Sequence, residues 1–371
     1  MHGRRSIILL MVALLLITLT LGGCGGNSQP AKTAEPAKKS EPSQSGPLLL
    51  NGAGATFPYP LYSKWFDEYT KVNSNVRINY QSIGSGGGIN QITQKTVNFG
   101  ASDGPMTDEQ LSKAPGEILH IPTTSGAVAV AYNLPGIQSG LKLDAATLAD
   151  IYLGKIKKWN DSRLTKLNPD LKLPATDIVV VHRSDGSGTT FIFTDYLSQV
   201  SAEWKEKVGK STSVKWPTGL GGKGNEGVAG QILQTPGGIG YVELAYALQN
   251  KIAYAQLKNQ AGKFIEPSLP ATTVAAAGMA DKMPADLRVS IVNSPAPDAY
   301  PIVGFTWILI YKNQDDPVKG KAVVDMLWWA IHDGQKYAEP LHYARLPEQV
   351  VKLNEAKIKS INYQGKSLLS Q

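Results

Sequence analysis

The chain has 371 residues, 42% of them hydrophobic, a formal net charge of +7 and one cysteine. That length can bury a large core and predicts two domains. A single cysteine excludes an intramolecular disulfide, and no basic run is interleaved with aromatics as nucleic-acid binders require.

Arg4 and Arg5 precede an apolar run, Ile7 to Leu21, that is short for a membrane span and reads as an export signal. The run stops at Leu21-Gly22-Gly23-Cys24, which resembles the lipobox of bacterial lipoproteins. That resemblance implies diacylglycerol transfer to Cys24, cleavage before it, and a membrane anchor through the modified cysteine. Removing residues 1–23 takes away Arg4 and Arg5 and no acid, so the charge falls by two. The mild positive balance that remains fits an anionic ligand or an anionic membrane surface and decides neither. Residues 25–47 are rich in Pro, Ser, Lys, Glu and Gly and cannot bury enough surface to offset their ordering entropy, so they are predicted to form a flexible tether. The folded region is expected to begin near Leu48.

From there helical and strand patterns alternate. Leu61, Trp65, Tyr69 and Val72 fall on one helical face behind Pro58 and Pro60, which a first turn tolerates. Val76 to Ile83 reads as a strand, Ile89 and Ile92 mark a short helix after a glycine cluster, and Val97 to Ala101 predicts a strand that delivers Ser102 and Asp103. Ala127 to Tyr132 and Ile178 to Val181 read as buried strands, the second leading into a helix with Phe193, Tyr196, Leu197 and Val200. Lys155, Lys157 and Lys158 read as a solvated loop face. Thr306 to Ile310 is a further strand, and Val323 to Ile331 a helix whose Trp328 and Trp329 are expected in the core. Such alternation predicts an α/β fold with mainly parallel sheets, whose ligands sit at the carboxyl ends of the strands.

Three polar turns lie at such ends. Thr56-Phe57-Pro58, Gly84-Ser85-Gly86-Gly87-Gly88 and Arg183-Ser184-Asp185-Gly186-Ser187-Gly188-Thr189 each precede a predicted helix. A helix start carries unpaired N–H groups and the positive end of a dipole, so three of them converging would cage a small oxyanion. Thr56, Ser85, Ser187 and Thr189 offer hydroxyls, and the main chain near Phe57, Ser85, Gly188 and Thr189 offers N–H groups. Arg183 is a guanidinium fork for two oxygens, and Asp185 could hold that fork. Asp103 is a carboxylate beside an anion, which repels unless it accepts a hydrogen bond. Phosphate near neutral pH carries a proton to give and sulfate does not, so a buried Asp103 would select phosphate. The alternative for Asp103 is a turn residue or helix N-cap before Gly104-Pro105.

Gly52-Ala53-Gly54-Ala55-Thr56-Phe57-Pro58, Ile83-Gly84-Ser85, Phe99-Gly100-Ala101-Ser102-Asp103 and Asp185-Gly186-Ser187-Gly188-Thr189 resemble the periplasmic phosphate-binding proteins of bacterial high-affinity phosphate ABC transporters. So do Asp150-Ile151-Tyr152-Leu153-Gly154-Lys155-Ile156-Lys157-Lys158-Trp159, the stretch Trp216 to Asn225, and Gly240-Tyr241-Val242-Glu243, so the resemblance spans nearly the whole chain from Leu48. It implies a two-lobed type II binding-protein fold, each lobe a mainly parallel sheet flanked by helices, closing on one dehydrated phosphate. It carries phosphate binding to Ala55, Thr56, Phe57, Ser85, Asp103, Arg183, Ser187, Gly188 and Thr189, with Asp185 pairing the arginine. By analogy one lobe comprises 48–124 with 300–371 and the other 125–299. The implied partners are inorganic phosphate and an ABC permease and ATPase complex, with the protein monomeric, lipid-anchored and outside the cytoplasmic membrane.

Rival readings are weaker. Gly219-Leu220-Gly221-Gly222-Lys223-Gly224 fits a dinucleotide pattern by letter but follows Trp216-Pro217 rather than a predicted strand, and Gly224 after Lys223 fails the phosphate-loop pattern. It is expected to be a turn at a cleft mouth or lobe surface. His2, His120, His182, His332 and His342 show no metal spacing, and Ser187 lacks a nucleophile elbow, so neither enzyme chemistry nor a cofactor is expected. Arg183 with Asp103 argues against sulfate and molybdate, and arsenate should be a weaker mimic. An adhesin or signalling module that has lost its ligand would not keep the full set.

Overall fold

The structure, a computed structural model, describes residues 46–280 and 282–369. The predicted export signal, Cys24 and most of the tether lie outside them. Nine strands form the main sheet: β1 Leu48–Gly54, β2 Val76–Ser82, β3 Phe99–Ser102, β4 Ile118–Tyr132, β5 Val179–Arg183, β6 Leu220–Gly222, β7 Gly238–Glu243, β8 Ala253–Tyr254 and β9 Val303–Tyr311. Their hydrogen-bonded order is β2-β1-β3-β9-β4-β7-β5-β6, with β8 also on β4. The trios at either end, β2-β1-β3 and β7-β5-β6, are parallel, as strand–helix alternation predicts. The two middle strands β4 and β9 run antiparallel to their neighbours, a feature the alternation does not encode.

β4 is fifteen residues long and buried throughout, whereas only Ala127–Tyr132 was legible as a strand. Its first part pairs with β9 up to Ala127, and Val128–Tyr132 pairs with β7. One strand therefore serves both halves of the sheet. Pro122 and the polar run Thr123–Ser125 hide the earlier part. A proline lacks the N–H that a central strand needs, and a bulge absorbs it. Thr306 faces Thr124 and Trp307 faces Pro122, leaving Thr123 out of register. The displaced Thr123 hydroxyl bonds the Tyr62 hydroxyl at 2.7 Å.

Five helices matter for the site: α1 Tyr59–Val72, α2 Ser85–Thr93, α3 Gly188–Val200, α4 Gly224–Gln234 and α5 Pro317–Ile331. α1 starts on Pro58 and Pro60 and buries Leu61, Tyr62, Trp65, Phe66 and Tyr69. Val72, expected on that face, is the last helical residue and stands 66% exposed, because the stripe has run past the core by then. In α5 Trp329 is buried as expected, whereas Trp328 is only half-buried and packs its ring 4.6 Å from that of His332. Beneath the other half Phe193 and Tyr241 stack at 4.3 Å, with Tyr152 and Trp216 around them. Each such side chain contributes about 2–3 kcal/mol through burial, so both halves have their own aromatic core. Lys155 pairs with Glu203, and Lys158 with Asp177 at 2.7 Å, both at the surface, as a solvated face requires.

The glycine-rich stretch set aside above proves to be β6 itself, the edge strand beside β5, followed at once by α4. Leu220, Gly221 and Lys223 are exposed, as a surface position requires, while the Gly224 N–H turns inward and donates to Asp185 Oδ1 at 3.1 Å. Three-residue strands built of Leu-Gly-Gly carry no propensity signal, which is why sequence reading passes over them.

Candidate functional site

β1 ends against β3 so closely that a side chain at Gly54 would lie 2.0 Å from the Ala101 carbonyl, and Gly54 has φ +144°. Only glycine permits that approach. The following turn is buried: Ala55, Thr56 and Phe57 are at most 2% exposed. The Ala55 N–H donates to the Ala101 carbonyl at 2.9 Å and its own carbonyl accepts from Tyr80 at 2.7 Å, so Ala55 backs the turn and offers no spare main-chain group. The Tyr246 and Tyr343 hydroxyls hold the Thr56 and Phe57 carbonyls at 2.6 and 2.7 Å. Those bonds orient the turn, and the N–H groups of Thr56 and Phe57 have no acceptor among the described residues.

α2 starts at Ser85 after Gly84, whose φ is +87° and whose added Cβ would sit 2.3 Å from Asp185 Oδ2. The Ser85 hydroxyl oxygen accepts the Asp103 N–H at 3.2 Å and the Gly188 N–H at 2.9 Å. It ties the end of β3 to the start of α3. The Gly86 N–H donates to the Gly186 carbonyl at 2.9 Å, so the two glycine turns touch backbone to backbone.

Asp103 is 1% exposed and caps no helix; that task falls to Thr107, which caps Asp108–Ser112. Its Oδ1 accepts from the Thr306 hydroxyl at 2.8 Å. Burial pushes its carboxyl up to about 7, against the lowering influence of Thr306, Arg183 and Ser85. A carboxyl so placed changes protonation state near neutrality.

Arg183 ends β5 with a side chain 1% exposed. Its Nε and Nη2 make a two-pronged pair with Asp185 at 2.7 and 2.5 Å, and Nη1 reaches the Thr189 hydroxyl at 3.4 Å. Burial raises the Asp185 carboxyl, but Arg183 and the Gly224 N–H outweigh it and hold the group below its ordinary value. Ser187 caps α3 by accepting the Thr190 N–H at 3.0 Å. Gly188 has no room for a side chain, since a Cβ there would lie 2.5 Å from that of Asp103. Thr189 is fully buried, and its N–H, like that of Ser85, finds no acceptor among the described residues.

All nine predicted positions therefore lie in one buried cluster joined across the two halves of the sheet. Seven present a charged group, a hydroxyl or a main-chain donor there, and Ala55 and Gly188, whose N–H groups are engaged by the Ala101 carbonyl and the Ser85 hydroxyl, support them. Buried N–H groups are nearly always paired, so four without an acceptor among the described residues, beside an arginine, are a donor set of the kind an anion would satisfy. Two contributors were missed by sequence reading. Asn225, fully buried at the start of α4, donates to Thr56 and Thr189, and Thr306 holds Asp103. Asn225 follows directly on the glycine stretch, and a lone polar residue in a helix's first turn reads as ordinary capping. Thr306 hides inside an apolar strand.

Comparison with known proteins bears on this cluster. Residues 33–326 match the PBP superfamily domain. The phosphate-binding protein PstS of Xylella fastidiosa (strain Temecula1 / ATCC 700964) is 46% identical over 348 residues, covering 92% of this chain and 95% of that one. The phosphate-binding protein PstS of Pasteurella multocida (strain Pm70) is 49% identical over 312 residues, covering 84% and 90%. In fold the chain is similar to a high affinity periplasmic phosphate-binding protein, PfluDING, solved with phosphate, at a TM-score of 0.68 and 21% identity over 83% of this chain and 93% of that one.

Proposed function

The chain belongs to the PBP superfamily, among the PstS phosphate-binding proteins, and on that premise we propose that it captures inorganic phosphate with high affinity and delivers it to an ABC permease and ATPase complex for import. It is a binding protein and turns over no substrate. The observation that carries the reading is the convergence of four acceptor-less N–H groups, the Arg183 guanidinium and the Asp103 carboxyl in one buried cluster. Thr56, Phe57, Ser85, Arg183, Ser187 and Thr189 donate hydrogen bonds to the phosphate, Gly188 lines it with bare backbone, and the phosphate's own O–H donates a hydrogen bond to the Asp103 carboxylate. Closure removes water, so each donor counts for more than in solvent. Calorimetric titration of the purified protein with phosphate and, in parallel, sulfate tests this: phosphate is expected to bind and sulfate to fail, and equal affinities would sink the reading.

The two lobes are 48–124 with 300–371 and 125–299. The change of β4's partner between Ala127 and Val128 supports that division. The protein acts as a monomer outside the cytoplasmic membrane, tethered by lipid on Cys24 through residues 25–47. Cys24→Ala is expected to abolish incorporation of a labelled fatty acid into the protein, with phosphate affinity unchanged. Undiminished labelling of the variant would refute the anchor.

A further inference from the structure

Asn225 bonds to both sides of the cluster, and among the described residues no hydrogen bond joins it to Arg183 or Asp103. It is fully buried at the first turn of α4. Its Oδ1 accepts the main-chain N–H of Glu243 at 2.9 Å. That bond settles which end of the amide is which, since a main-chain N–H can only donate. The Nδ2 must then face the two threonines, and it reaches Thr56 Oγ1 at 2.8 Å and Thr189 Oγ1 at 3.1 Å. Thr56 Oγ1 also accepts the Asn225 main-chain N–H at 3.2 Å, and Thr189 Oγ1 also accepts from Arg183 Nη1 at 3.4 Å.

A hydroxyl has two lone pairs and one proton. Each of these oxygens receives two donors, so both lone pairs are taken and only the proton is left to give. We infer that Asn225 is a positioning residue that fixes the hydroxyl protons of Thr56 and Thr189 outward, making both obligatory donors to the bound anion and coupling a residue at the end of β1 to one at the start of α3. The chain of direction runs from the Glu243 N–H through the amide to two hydroxyls on opposite halves of the sheet. An unfixed hydroxyl could instead turn its lone pairs toward the anion, where they repel. Because the amide bridges the two halves, the lock acts in the closed form and governs release more than capture.

This inference rests on the phosphate reading above. It is tested on the full-length protein by phosphate titration and stopped-flow binding of Asn225→Asp, Asn225→Ala and the Thr56→Val/Thr189→Val double variant, alone and combined, with thermal unfolding alongside. Asn225→Asp keeps the size of the side chain but puts acceptors where the donors were, so it turns both hydroxyls inward. It is expected to weaken phosphate binding about 100-fold, mainly through faster dissociation. In the double-valine background the Asn225→Ala change is expected to cost less than about 3-fold, because the hydroxyls it directs are gone. Wild-type affinity in Asn225→Asp, or the same loss from Asn225→Ala with and without the threonine hydroxyls, overturns the inference. A wild-type protein that takes up no phosphate overturns the functional reading and this inference with it.

Discussion

Arg183→Ala is expected to lower phosphate affinity by about 10³-fold or more, the largest single effect in the site. Two losses combine. The guanidinium is the one cationic group within the cluster, and it is fully desolvated, so its attraction for an anion is little screened. Its removal also strips Asp185 of both bonds from its one side-chain partner and leaves the Gly224 N–H on the carboxylate. A partly buried negative charge without its cationic partner then stands near the incoming anion. Arg183→Lys restores the charge but cannot span Asp185 with a planar fork, so an intermediate loss is expected. Calorimetry on both variants checks this; unchanged affinity in Arg183→Ala would remove Arg183 from the site.

Asp103→Asn is expected to spare much of the phosphate affinity while reducing the preference for phosphate over sulfate by about 10³-fold or more. The carboxylate accepts the one proton that distinguishes the two ligands, and an amide at the same place can donate to a sulfate oxygen. Protonation predicts the same from another side. The Asp103 carboxyl, held up at about 7, gains a proton as pH falls through neutrality and becomes a donor. Sulfate uptake by the unaltered protein is therefore expected to rise between about pH 8 and pH 6, and Asp103→Asn to lose that dependence. Stability carries the matching sign. The folded protein retains this proton up to about 7 whereas an unfolded chain releases it near 3.8, so ligand-free stability declines as pH rises through that window. Asp103→Asn flattens the decline. Competition titrations showing an unchanged preference, with stability curves of unchanged slope, would count against the selection role.

The site was far more legible than the frame that carries it. Thr56, Ser85 and Ser187 stand out because hydroxyls and glycines at strand ends have few structural uses in such number, and Arg183 and Asp185 sit within one turn. Their burial, and the meeting of three distant turns, follow from the parallel trios that β-branched runs such as Val179–Val181 announce. β4 was half hidden because its bulge, with Pro122 and three hydroxyl residues, breaks the alternation that strands are recognised by. β6 was hidden because a Leu-Gly-Gly edge strand is held by its neighbour rather than by its own residues. Asn225 and Thr306 act on other site residues, and that relation exists only once the chain has folded.

The meeting of Gly86 with Gly186 has a consequence for unloading. Bare main chain from one half lies on bare main chain from the other at this contact, so no side chain stands there to swing aside as a door. A side-chain rotation cannot open that point; the two turns themselves must part. On the proposed function, release waits on the parting of those two turns, so the timing of discharge is expected to belong to the partner that separates them.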